Sequence, residues 1–352
     1  MSRSMVGALI LALLAAASSG RKLPAETKTQ AWVKKGRVLE PGFAGTASQG
    51  RLSAPCVVVL KNGRLRMYFW ATGKLPGATR NKSYIYAAEA DPKTPFDWKL
   101  IDDAPVLGPS PSGSINDFGP SFPFVVPKDD GAWLMYFCAW GSWARTDELS
   151  NRTGLAISQD GGRTWKIQTE TLIPLGKPGE FDAGITGSVC VLPVGRDLFH
   201  MWYSAGERYE MIAGTKRGIV HIGHATSRDG IGWTLARQPV LSPRLGAVTP
   251  YEAVVSKPSV LRIGGTFHMW LSVFSMDEVG YRLGYARSAD GVHWERSFGD
   301  DILELTPGAF DSKNQSYPNV VEVGDELWMF YAGNTFGATG VGLATMKKAD
   351  LR

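Results

Sequence analysis

Along residues 31–352 short apolar runs of strand length alternate with turn signals, and one apolar and polar pattern recurs five times. Each copy holds an apolar strand, a turn, and a second strand carrying methionine followed by an aromatic or apolar pair. The copies read APCVVVLKNGRLRMYF, FPFVVPKDDGAWLMYF, SVCVLPVGRDLFHMWY, KPSVLRIGGTFHMWL and YPNVVEVGDELWMFY. Their methionines are Met67, Met135, Met201, Met269 and Met329, at steps of 68, 66, 68 and 60 residues, the period of a repeat architecture. A third strand follows each pair (SYIYAAEA, TGLAISQD, IVHIGHATS, YRLGYARS, VGLATMKK). In copies two to four it runs through Asp-Gly or Gly-Gly, which supply the positive φ of a tight hairpin, into a tryptophan and a fourth strand.

Four antiparallel strands repeated five times predict an all-β, five-bladed β-propeller. The last copy stops after its third strand, and AWVKKGRVLEPG near the start has the form of the missing fourth one. The N-terminal strand is therefore expected to complete the last blade and close the ring, which removes two sheet edges. One domain over 31–352 follows. Asp160, Asp229 and Asp290, in SQDGGRTW, SRDGIGWT and SADGVHWE, resemble the Asp-box of sialidases and are expected to be turn residues.

Residues 5–17, MVGALILALLAAA, are apolar behind Arg3 and precede small residues. That run is too short to span a bilayer and fits a secretory signal over 1–20, hence a secreted or periplasmic protein with no membrane contact after processing; a cytoplasmic start is the alternative. The net charge of +5 is spread along the chain without a long basic run, which argues against nucleic acid as a partner. Cys56, Cys138 and Cys190 lie far apart inside apolar strands, without metal-site spacing, and read as small buried hydrophobes.

The segments leading into the innermost strands are expected to line a central funnel. Four carry an acid six or seven residues before the proline-equivalent position: Asp117, Asp182, Glu252 and Asp311; the first blade has Gln49 and Arg51 there. Carboxylates converging from neighbouring blades split their pKa values, as glycoside hydrolysis requires. Trp70, Trp140, Trp143, Tyr209 and Phe274 are candidate sugar platforms. Arg51, Arg145, Arg208, Lys257 and Asn334 are candidate contacts for hydroxyls or an anion. His200 and His268 align with Arg66 on second strands and are not expected to be ligands.

The blade pattern, the order Asp117, Asp182, Glu252, and the segments YRLGYARSADGVHW and MFYAGNTFGATGVGLA resemble the five-bladed glycoside hydrolase superfamily of arabinanases, β-xylosidases, invertases and levansucrases. The resemblance implies a carbohydrate substrate, a furanoside or small pyranoside, with no cofactor and no metal. It implies Asp117 as nucleophile or general base, Asp182 as the carboxylate that orients the sugar, and Glu252 as general acid. Phosphorolysis, as in the five-bladed mannoside phosphorylases, and a non-catalytic carbohydrate-binding propeller are the alternatives; the acid-free first blade favours the latter.

Overall fold

The computed structural model describes residues 31–45, 49–77, 79–141, 151–212, 215–245, 252–275, 280–296 and 302–351. The expected signal segment lies outside them. Five antiparallel sheets succeed one another along the chain. Blade 1 holds β2 (Arg51–Val59), β3 (Leu65–Gly73), β4 (Lys82–Ala90) and β5 (Lys99–Leu100). Blade 2 holds β6 (Gly119–Pro127), β7 (Trp133–Trp140), β8 (Arg152–Ser158) and β9 (Lys166–Ile173). Blade 3 holds β10 (Ile185–Pro193), β11 (Phe199–Ile212), β12 (Thr215–Ser227) and β13 (Trp233–Leu235); blade 4 holds β14 (Glu252–Ile263), β15 (Thr266–Ser275), β16 (Gly280–Ser288) and β17 (Glu295–Arg296). A single parallel bridge, Val220 to Val254, links these two blades. Blade 5 holds β18 (Ser316–Val323), β19 (Glu326–Ala332) and β20 (Val341–Lys347), and its outer strand is β1 (Val33–Leu39), paired antiparallel from Val33–Thr345 to Leu39–Val341. The fold is thus the propeller that the repeats predict, closed by the N-terminal strand.

Five apolar seams separate the blades, and the repeat methionines Met67, Met135, Met201, Met269 and Met329 are each fully buried in one. Met fits such irregular sheet-to-sheet gaps because its unbranched chain adapts. Asp160, Asp229 and Asp290 are turn residues: Asp160 accepts the amides of Arg163 and Thr164, Asp229 those of Ile231 and Gly232, and Asp290 those of Val292 and His293. Amide donation to the charged form holds all three carboxyls below the usual range.

These turns also join blades. Tyr68 Oη donates to the Gly162 carbonyl at 2.8 Å, Tyr136 Oη to Gly230 at 2.7 Å, and Trp202 Nε1 to Gly291 at 2.7 Å, each reaching from one blade to the next. A Cβ on Gly162 (φ +82°) would lie 2.2 Å from Tyr68 Oη and 2.6 Å from the Trp133 ring, whereas one on Gly161 (φ +71°) meets nothing within 4 Å. Gly162→Ala is therefore expected to cost about 2–3 kcal/mol through overpacking, and Gly161→Ala about 1 kcal/mol through left-handed backbone alone. Urea unfolding of the two variants checks this, and equal costs would deny the turn its role as a blade clamp.

Candidate functional site: the axial funnel

The innermost strands β2, β6, β10, β14 and β18 each carry a β-bulge at the same place. One non-glycine residue in each has positive φ: Ala54 (48°), Phe122 (48°), Ser188 (49°), Lys257 (47°) and Tyr317 (57°). The segments are SAPC, SFPF, GSVC, SKPS and SYPN, so a Ser-x-Pro-x pattern marks four of the five. Left-handed non-glycine residues are uncommon, and neighbouring blades must hold them. The amides of Ser188, Lys257 and Tyr317 donate to Cys138 Sγ (2.9 Å), Ser204 Oγ (2.9 Å) and Ser272 Oγ (2.7 Å) on the second strand of the preceding blade.

Three residues further on, a second set of amide bonds runs round the axis. Val57 N–H donates to Asn319 Oδ1 across the closing seam (2.7 Å), Val125 to Cys56 Sγ (3.2 Å), Val260 to Cys190 Sγ (3.2 Å) and Val320 to Ser259 Oγ (2.9 Å). The cysteines are buried, as expected, yet they serve as acceptors between blades rather than as bland apolar filler. Burial pushes the Cys56 thiol up to about 11 and Cys190 up to about 12, so both stay protonated at neutral pH. Phe124 takes the remaining position of this set and packs into three of the seams.

Beside the bulges opens a funnel of about 270 Å³. Its aromatic walls are Phe122, Trp140, Phe274, Tyr281, Tyr317 and Phe336, with Ile185, Val220 and Val254 between them. Polar groups are few: Asn151, Ser188, Ser204 and Ser256. Among the described residues, no acidic or basic side chain lines this cavity. Trp140 donates its Nε1–H to Ser121 Oγ, which fixes the indole plane against the cavity. Phe336 (φ 58°) sits between Tyr281 (ring centroids 5.7 Å apart) and the Arg51 guanidinium (5.4 Å). Its loop is pinned by Asn334, whose Oδ1 accepts the amides of Lys313 (2.7 Å) and Asn314 (3.0 Å).

The four acids are not among the described residues that line this cavity; Asp182, Glu252 and Asp311 are held inside their own blades, and Asp117 lies in the loop between blades 1 and 2. Asp117 accepts the Gly113 amide at 3.1 Å, and Asp182 accepts the Tyr203 hydroxyl at 3.2 Å. Glu252, with no exposed surface, takes a bidentate pair from Arg296 (2.9 and 2.8 Å) and the Arg244 amide (2.9 Å). Asp311 accepts from Tyr331 Oη (3.0 Å), Gln315 Nε2 (2.9 Å) and Lys34 Nζ. Burial raises the Asp182 carboxyl and outweighs the Tyr203 hydrogen bond. Asp117, Asp182 and Glu252 are not among the described residues that line this cavity, and outer-strand or second-strand partners of the same blade hold Asp182, Glu252 and Asp311.

Of the other candidates, Trp140 and Phe274 line the funnel and Arg51 stands at its mouth. Trp70 lies one layer behind, stacked 5.2 Å from Phe122 with its Nε1–H given to Ser83 Oγ. Asn334 positions the Phe336 loop instead of offering a free amide. Lys257, expected at a surface or an anion, is fully buried, and among the described residues its Nζ has no hydrogen-bond partner; it lies 5.7 Å from the Phe124 ring centroid. Arg145 and Trp143 fall outside the described residues; Arg208 lies on β11 with its side chain outside them. His200 and His268 sit on second strands as expected, His200 against His224 (3.0 Å) and His268 against Tyr285 Oη (2.6 Å). Among the described residues no group of three or more His, Cys, Asp or Glu could hold a metal.

This is the propeller fold of glycoside hydrolases and phosphorylases. The chain is similar over 91% of its length to BT0996 in its RGII complex (17% identity, TM-score 0.69, 92% of that protein covered). It is also similar to a structure described under the GH130 mannoside phosphorylases, a family containing hydrolases of β-1,2-mannosidic linkages in Candida mannan (15% identity, TM-score 0.67, 93% and 96% covered). A third is the β-1,2-mannobiose phosphorylase from Listeria innocua, in complex with β-1,2-mannobiose (14% identity, TM-score 0.65, 89% and 95% covered). In sequence, the uncharacterized protein Rv1502 of Mycobacterium tuberculosis (strain H37Rv) is 27% identical over 319 residues, 90% of this chain and 99% of its own. No protein-family model matches the chain.

Proposed function

We propose that the protein binds a carbohydrate in the axial funnel, with a sugar ring stacked on the aromatic walls around Trp140. The observation that carries this is an open concavity at the axis lined, among the described residues, by six aromatic side chains and a few hydroxyl and amide groups. Flat apolar faces with sparse polar points are what a pyranose or furanose ring, apolar on its C–H faces, requires. The volume is close to the lower end of small-molecule sites, roughly 300–1,000 Å³, and suits a short ligand or one end of a chain.

Glycosidic cleavage is the second reading, favoured by the hydrolases and phosphorylases that share the fold. It needs a carboxylic acid that reaches the bound sugar, and a phosphorylase would add a basic phosphate pocket. Chromogenic furanosides and pyranosides, each with and without inorganic phosphate, separate the readings. Binding seen as a change in tryptophan fluorescence, with no chromophore released, supports the receptor reading. Phosphate-independent release establishes a hydrolase, and phosphate-dependent release a phosphorylase. Trp140→Ala is expected to weaken sugar binding at least tenfold, about 1.4 kcal/mol, with unchanged secondary structure by circular dichroism. Unaltered affinity would remove the funnel from the site.

A further inference from the structure

We infer that the funnel selects a sugar bearing apolar substituents, a deoxy or O-methyl sugar, over its fully hydroxylated counterpart; this rests on the carbohydrate reading above. The argument is one of unmet hydrogen bonds. A fully hydroxylated ring that enters a cavity must exchange water for protein partners at each hydroxyl, or leave them unpaired. This funnel offers little in exchange. Its polar groups are three serines, one asparagine and the hydroxyls of Tyr281 and Tyr317; Ser256 Oγ is buried without a hydrogen-bond partner among the described residues, and others are engaged.

Ser204 Oγ accepts the Lys257 amide at 2.9 Å, and Ser188 Oγ sits 3.6 Å from Cys138 Sγ. The Trp140 indole N–H is taken by Ser121. The Tyr317 and Tyr281 rings pack against each other, centroids 5.7 Å apart. The remaining wall is carbon: Phe122, Phe274, Phe336, Ile185, Val220 and Val254. A sugar methyl group laid against such a wall is favoured, whereas a hydroxyl there is stranded.

Phe336 is the specificity-determining residue of this arrangement. It is 37% exposed and left-handed in backbone, with its ring between Tyr281 and the Arg51 guanidinium. Its loop is nevertheless held rigidly: Asn334 clamps it from one side, and Thr335 N–H donates to Asn314 Oδ1 at 2.8 Å. Gly337 lets it lie on β2, since a Cβ there would come within 2.5 Å of the Leu52 carbonyl. A strained, exposed phenyl ring held at a cavity mouth is the mark of a ligand contact.

Matched pairs test this with the full chain: L-fucose against L-galactose, L-rhamnose against L-mannose, and 3-O-methylglucose against glucose. The apolar member is expected to bind about tenfold tighter or more by calorimetry, the gain of one methyl group filling an apolar site. In Phe336→Ala that preference is expected to fall below about threefold, and Phe336→Tyr to retain it. Equal or reversed preference within pairs that do bind overturns the inference and leaves the carbohydrate reading standing. Binding of p-nitrophenol with no sugar binding on any pair, or on oligosaccharides capped by these sugars, overturns both. A preference unchanged in Phe336→Ala, with native circular dichroism, removes Phe336 from the recognition.

Discussion

Arg296→Met is expected to lower the unfolding free energy by about 3–5 kcal/mol, because it strands the buried Glu252 carboxylate. Both oxygens of Glu252 are engaged by Arg296 at 2.8 and 2.9 Å, and the side chains are 0% and 6% exposed. Arg244 adds an amide bond at 2.9 Å and a guanidinium 3.6 Å away. The pair joins the start of β14 to β17, the inner and outer edges of blade 4, so its loss opens that blade. Glu252→Gln leaves a buried guanidinium half-paired and is expected to be destabilising in the same sense. Guanidinium-chloride unfolding checks both variants. The measurement also bears directly on mechanism, since a general acid at position 252 predicts an inactive Gln variant as stable as the parent. A Glu252→Gln protein with unchanged unfolding midpoint would contradict the structural role.

The fold was more legible than the partners of the lead-in acids, and the difference has a physical source. Strand repeats, turn glycines and the detached outer strand are local signals, and each repeats often enough to set the blade count. The direction in which a lead-in side chain points is not local. Asp182 and Asp311 precede their strands by a few residues, while the chain is still crossing from the periphery of the preceding blade. There they meet Tyr203 and Tyr331, tyrosines two residues after Met201 and Met329. The same position is Phe137 in blade 2 and Leu271 in blade 4, where a backbone amide and Arg296 take over the role. That tyrosine was a readable sign that the acids have structural partners.

The funnel walls were hidden for a second reason. A bulge shifts side-chain direction by one residue, so strict alternation along β6, β14 and β18 assigns Phe122, Lys257 and Tyr317 to the wrong face. The usable signal was the repeated Ser-x-Pro-x, with a polar or sulfur side chain at its last place in three blades and Cys190 at the matching place of GSVC in a fourth. Cys56, Cys190, Ser259 and Asn319 there accept amides from the next blade, a role that separation along the chain conceals. Phe336 escaped notice because the neighbouring Asn334 carries the more obvious polar chemistry.

Lys257 yields the second large effect, in the opposite direction. Its ammonium has left water entirely and has gained no hydrogen bond among the described residues, only the Phe124 face 5.7 Å from Nζ. Desolvation therefore lowers its folded-state pKa, and the three nearby cysteines oppose this only in part. Lys257→Met keeps the length and the apolar stem while deleting the unpaired polar end, so the variant is expected to be more stable at pH 7 by about 1–3 kcal/mol. The pH dependence distinguishes this from generic repacking. Above the lowered folded value and below the unfolded lysine value of about 10.4, the unfolded chain holds one more proton than the native protein. Native stability contributed by this site therefore rises with pH across that window and levels off above it. Lys257→Met has no such slope, so its advantage shrinks between pH 7 and pH 10. Paired thermal melts at the two pH values measure this, and a constant difference would mean that Lys257 keeps its ordinary proton affinity at the axis.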